Sequence, residues 1–170
     1  MIMENTSRKL GLREDWAAIP YILLVIGGFI VALYDFVILQ QLNIQLTIFG
    51  VTGFILLVIG GILRLVSRRT LKKAGFTLFN SGRLQVVEDH QLMTDGVYRL
   101  IRHPLYLGEM ARNVGFALIL TSLFGVIVMA VGNAFLLLRI RIEEAMLVKE
   151  FGQEYIEYRE KTKRLLPYIF

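Results

Sequence analysis

The stretch from His90 to Tyr106, HQLMTDGVYRLIRHPLY, gathers imidazoles, arginines, a proline and tyrosines at the mouth of a long apolar run. A second polar cluster, RIRIEEAML from Arg139 to Leu147, begins where the last apolar run ends. Such side chains are costly at a bilayer boundary, so two clusters of them beside apolar runs suggest one site. Pro104 disfavours helix at His103 and can begin the next one, which holds Arg102 and His103 at the N-terminus of a membrane helix. That end carries partial positive charge and free N–H groups, which suits an anion. The simpler alternative is an interfacial histidine with a topology-setting arginine. Arg139 and Glu143 are four apart and share a helix face, either as a surface ion pair or as two arms of a site. Glu143 or Glu144 suits a cation or an ammonium, and Arg139 suits a carboxylate gripped at two points. A mouth that offers both signs fits a zwitterion such as an amino-acid moiety. The ring faces of Tyr98 and Tyr106 would attract a cation such as a sulfonium.

Glu109 and Arg112 lie three apart inside the third apolar run. They form a mutual pair that snorkels to the interface, or they line the polar end of a substrate cavity. No metal is expected, because His90 and His103 are joined to no carboxylate by an HExxH-type spacing. Neither a glycine-rich dinucleotide motif after a strand nor a Ser/His/Asp arrangement is visible. The chain contains no cysteine, which excludes disulfides, thiolate zinc sites and cysteine nucleophiles.

The elements that position these residues follow from hydropathy. Of the 170 residues, 55% are apolar, and the mean hydropathy is +0.58. Those values predict an all-α integral membrane protein forming a single domain over residues 1–170. Glu14 and Asp15 precede the first apolar run and no small-residue cleavage site follows it, so no signal peptide is expected. The runs Ile19–Leu39 and Ile44–Val66 read as two spans within 1–66. Gly27, Gly28, Gly50, Gly53, Gly60 and Gly61 offer them small-residue contact faces. Asp35 is expected at the interface. Residues 67–103 read as a loop, with Leu84, Val86 and Val87 as a short extended piece and Asp95-Gly96 as a turn. Residues 104–138 read as a shorter helical hairpin turning at Thr121 to Gly125, and 139–170 as a long amphipathic helix. This makes about four transmembrane helices.

Lys and Arg number three in the N-terminal tail, eight over 64–103 and seven from Arg139 onward, and the two connecting turns hold none. The positive-inside rule then places both termini, the 67–103 loop and both polar clusters on the cytosolic side. The formal charge of +5 fits topology and anionic lipid rather than nucleic acid, because no basic run is interleaved with exposed aromatics. Oligomeric state is left open.

The pattern HxLxTxGVYxxxRHPxYxG, here His90 to Gly108, and the pattern RxxxEExxLxxxFGxEYxxYxxxxxRLxP, here Arg139 to Pro167, resemble the isoprenylcysteine carboxyl methyltransferases and the wider phospholipid methyltransferase group. The resemblance covers about the C-terminal half. It implies a multi-pass enzyme of the plasma membrane or endoplasmic reticulum that transfers a methyl group from S-adenosylmethionine to a lipidic acceptor. It also implies that His90, Gln91, Leu92, Met93, Tyr98, His103, Pro104, Leu105, Tyr106 and Glu143 hold the cofactor. Arg139 would contact the acceptor, with Glu109 and Arg112 as further candidates for its site, and Arg102 would lie near the reacting centre. An acceptor carboxylate is already ionised and needs only positioning, by Arg139 or Arg102. A phospholipid amine needs a base, for which Glu144, Glu109 and His103 are candidates. The alternatives are an NADPH-dependent sterol-reductase-like enzyme, which the arginine-histidine stretch and Gly108-Glu109 also resemble, and a non-catalytic lipid-binding membrane protein.

Overall fold

Long apolar runs make the helices of this chain, and glycine decides how closely two of them approach. The computed structural model describes residues 15–40, 47–73 and 92–166. Helix α1, Ala18–Tyr34, passes into a π-helical turn at Asp35–Leu39. Helix α2 covers Ile48–Lys73, and a 3-10 turn at Gly96–Arg99 leads toward α3, Pro104–Ile119. Helix α4 covers Leu123–Phe151 and α5 covers Gln153–Lys161. Among the described residues the only β pairing is an isolated parallel bridge between Ile101 and Lys163.

Three stretches, Ala18–Leu39, Ile48–Lys73 and Leu123–Phe151, are long and apolar enough to cross a membrane. Large apolar side chains such as Leu23, Ile30, Phe54, Ile62 and Val131 stand exposed on them, a surface suited to a hydrocarbon solvent. The protein is an all-α integral membrane protein. Helix α3 has 16 residues and, at about 24 Å, falls short of a hydrocarbon core of roughly 30 Å. It is packed against α2 on one side and α4 on the other.

Helices α2 and α3 run antiparallel at close range. A Cβ on Gly60 would stand 2.6 Å from the Gly108 carbonyl oxygen, and one on Gly53 would stand 2.7 Å from that of Gly115. Small residues let two backbones meet this way in lipid, where no hydrophobic force drives helices together. Gly28 packs against Met129, whereas Gly27 and Gly61 face open space. Helix α1 lies antiparallel along α4. Ala32, Ala117 and Met129 form the buried centre, with Phe29 and Phe116 edge to face at 4.6 Å. One polar rung crosses this interior. Asn113 donates to the Tyr21 hydroxyl at 3.2 Å and to Asn133 Oδ1 at 3.4 Å, and Asn133 Nδ2 donates to the Met110 carbonyl at 3.3 Å.

Several expected boundaries move. The fourth run and the tail do not part at 138–139, because no proline or glycine interrupts Asn133 to Phe151; the break comes at Gly152, with φ +55°. The expected long tail helix is therefore the second half of α4 plus the short α5. Likewise α2 continues past Val66 through the basic cluster to Lys73, so the expected boundary at 66–67 falls inside a helix. The hairpin turn is tighter than expected: Ser122 caps α4 by accepting from the Gly125 N–H at 2.9 Å. Asp35, near the end of the first span, is buried and accepts from the Ser122 hydroxyl at 2.5 Å. Leu84, Val86, Val87, His90, Gln91 and Pro167 lie outside the described residues.

Candidate active site

The antiparallel pairing brings the N-terminus of α1, the basic end of α2, the start of α3 and the second half of α4 to one end of the bundle. The segment after α5 closes over it. Arg102 N–H donates to the Lys163 carbonyl at 2.8 Å and His103 N–H to the Arg164 carbonyl at 3.1 Å. Pro104 at the first helical position has no N–H to satisfy. Those two N–H groups just ahead of α3 are therefore bound to the tail.

His103 is buried, and its ring stands between two carboxylates. Nε2 is 3.4 Å from Glu144 Oε1, and Nδ1 is 3.9 Å from Glu143 Oε2. The two glutamates then differ. Glu144 is clamped: Arg102 Nε donates to Oε1 at 2.9 Å, while Arg164 donates to Oε2 from Nη2 at 2.7 Å and from Nε at 3.1 Å. The side chains of Arg102 and Glu144 are only 8% and 6% exposed. Arg102 also reaches the Thr162 carbonyl at 2.5 Å and that of Arg159 at 3.1 Å, so its charge caps the C-terminal end of α5. Arg102 and Glu144, expected to be catalytic, thus join α3, α4 and the tail. Glu143 is the opposite case. Its Oε2 is buried, with no hydrogen-bond partner among the described residues. A carboxylate oxygen in that state carries a demand for a donor.

Around Glu143 stand the expected aromatic residues. Tyr106 lies 5.7 Å from the His103 ring and under the Arg139 guanidinium at 5.9 Å. Burial, with Glu143 close by, pushes the Tyr98 hydroxyl well above the ordinary phenol range, so it remains a neutral donor. The Tyr98 carbonyl accepts from the Tyr158 hydroxyl at 2.7 Å, which ties the 3-10 turn to α5. Leu92, Met93 and Leu105 are half-buried and Pro104 is buried. Arg139 does not pair along the helix with Glu143 as its spacing suggested; its fork grips Asp15, at the start of α1. Glu109 joins Arg64 of α2 and Arg112 in one charged group, the second contact at 3.3 Å. The two expected substrate residues thus lie in a charged group at the α2–α3 contact. No group able to hold a metal occurs among the described residues.

Arg164 and Asp15 were missed by the sequence reading. Arg164 stands in the RLxP end of the second pattern, which was a usable signal. Asp15 has no local signal, because its partner is 124 positions away.

Residues 46–154 match the family model described as phospholipid methyltransferase. This chain belongs to the phospholipid methyltransferase family. Within it, the chain is 33% identical over 118 residues to protein-S-isoprenylcysteine O-methyltransferase A of Arabidopsis thaliana, covering 69% of this chain and 58% of the relative. The Saccharomyces cerevisiae protein-S-isoprenylcysteine O-methyltransferase is 36% identical over 120 residues, covering 70% and 49%. The Homo sapiens one is 32% identical over 126 residues, covering 74% and 43%. Among solved structures, the eukaryotic intramembrane Ras methyltransferase, an isoprenylcysteine carboxyl methyltransferase, matches with a TM-score of 0.68 at 26% identity, over 88% of this chain and 52% of that one. This phospholipid methyltransferase family member spans about half the length of these relatives.

Proposed function

We propose that this protein transfers a methyl group from S-adenosylmethionine to the carboxylate of a lipid-anchored acceptor of the isoprenylcysteine kind, at the cytosolic face of its membrane. One observation carries the reading. The buried Glu143 Oε2, without a hydrogen-bond partner among the described residues, stands one helical turn from Arg139, so a single mouth offers an acceptor for an ammonium and a fork for a carboxylate. The amino-acid end of S-adenosylmethionine supplies that ammonium, Tyr98, His103 and Tyr106 stand around Glu143, and Leu92 and Met93 belong to the same expected cofactor set. His90 and Gln91 complete the expected cofactor set from outside the described residues. The names of the relatives support methyl transfer and the acceptor class.

When bound, the cofactor supplies an electrophilic methyl on a sulfonium. The chain's own work is alignment and exclusion of water, since an in-line displacement by an ionised carboxylate needs no base. Arg139 orients the acceptor. Arg102 and Glu144 act as positioning residues that fix His103 and the tail over the site. A phospholipid amine would need a base. Of the three candidate bases, Glu144 is engaged by two arginines and Glu109 by Arg64 and Arg112, which leaves His103 alone, so the charged groups favour the carboxylate. The basic cluster at the end of α2 supports a cytosolic position for this end by the positive-inside rule.

Calorimetry of the purified protein with S-adenosylhomocysteine and with NADPH tests the donor. Labelled methyl transfer to an S-prenylcysteine and to phosphatidylethanolamine tests the acceptor. Binding of S-adenosylhomocysteine alone with labelling of the S-prenylcysteine is expected. Binding of NADPH, or of neither, overturns the reading in favour of a reductase or a non-catalytic lipid binder.

A further inference from the structure

Asp15 presents to Arg139 the group that a carboxylate acceptor would present. Arg139 Nε lies 3.0 and 3.1 Å from Asp15 Oδ1 and Oδ2, and Nη2 lies 2.8 Å from Oδ2. This is the forked geometry in which guanidinium and carboxylate bind most strongly. The pair is sheltered but not sealed, with the two side chains 12% and 14% exposed. We propose that Asp15 is a latch on the acceptor side of the site: it holds the Arg139 guanidinium until an acceptor carboxylate takes its place. The proposal rests on the methyl-transfer reading above.

The position of Asp15 suits exchange. It precedes α1, and only its carbonyl supports the helix, accepting from the Ala18 N–H at 3.1 Å. The side chain can therefore leave Arg139 by rotation, without unwinding a turn. The exchange is of one carboxylate for another, so Arg139 is never left buried and unpaired, a state that would be strongly unfavourable. Asp15 moves meanwhile toward water at the bundle end. An amine or amide acceptor offers Arg139 no anion and leaves the latch closed. The latch thus selects for a carboxylate before chemistry begins, and it lowers apparent acceptor affinity by the fraction of time it is open.

Trp16, the single tryptophan of the chain, is adjacent to Asp15 and 51% exposed, so its emission reports on the latch in the native protein. The wild type in detergent, with S-adenosylhomocysteine present, is titrated with N-acetyl-S-farnesylcysteine and separately with its carboxamide. The carboxylate is expected to change Trp16 emission saturably, and the carboxamide is expected to leave it unchanged. In methyl-transfer assays Asp15→Asn is expected to lower the KM for the carboxylate, by about tenfold if the latch is closed nine-tenths of the time. Methyl transfer with an unmoved Trp16, an equal response to the carboxamide, or an unchanged or raised KM in Asp15→Asn overturns the latch and leaves the proposed function standing. If Asp15→Asn fails to fold, the wild-type titration decides. Absence of methyl transfer from the wild type removes the proposed function and the latch together.

Discussion

At the residue scale, adjacent glutamates have been given different work by their neighbours. Glu144 is surrounded by Arg102, Arg164 and His103, whereas Glu143 keeps a buried oxygen unpartnered among the described residues. Glu144→Gln leaves two arginines without their carboxylate, so we expect a loss of about 3 kcal/mol in stability, read as a lower melting temperature in detergent. Glu143→Gln should fold normally and weaken S-adenosylhomocysteine binding on the order of tenfold in calorimetry, the worth of a charge-assisted hydrogen bond. Unchanged affinity there would remove Glu143 from the cofactor site. Arg139→Ala should leave that affinity intact and reduce kcat/KM for a carboxylate acceptor on the order of a hundredfold. The sequence marked the EE pair as a candidate place for chemistry, but not the different partners of its two members. On a helix the two side chains point about 100° apart, and only the packed partners give each direction a meaning.

At the element scale, the site depends on how closely α2 and α3 approach. The carbonyls of Gly108 and Gly60 leave no room for a Cβ on the facing glycine. Gly60→Leu should therefore force the helices apart, lower the melting temperature and weaken S-adenosylhomocysteine binding together, because α3 carries His103 at its start. Gly61→Leu, facing open space, should do neither, and equal damage from both substitutions would refute the packing account. The glycine run was readable as a contact face, but which glycines make the contact was not, since Gly60 and Gly61 differ only in helical phase. The end of α4 was misjudged for a related reason. Hydropathy changes at Arg139, but nothing there breaks a helix, so the backbone continues through the change to Gly152.

At the scale of the whole molecule, four helices bring together a loop and a tail that are separated by the whole α3–α4 hairpin. The exposed apolar belt and the charged end give the bundle an orientation that can be tested directly, because the chain contains no cysteine. Arg69→Cys and Leu123→Cys, both at exposed positions, should react with an impermeant maleimide from opposite faces of sealed vesicles. Labelling of both from the same face would refute the arrangement of spans.

The sequence by itself determined the solvent, the helices and the residues with chemical reach, because hydropathy and helix-start signals are local. Its Lys and Arg counts also led to the expectation that both polar clusters share one bilayer surface, and the fold brings them to one end of the bundle. The partners were decided only by tertiary structure. Arg139 met Asp15 rather than Glu143, Arg102 capped α5 across 57 residues, and Asp35 was buried under Ser122. A charged side chain in a low-dielectric bundle pairs with the opposite charge that packing brings within reach, and distance along the chain does not enter that choice.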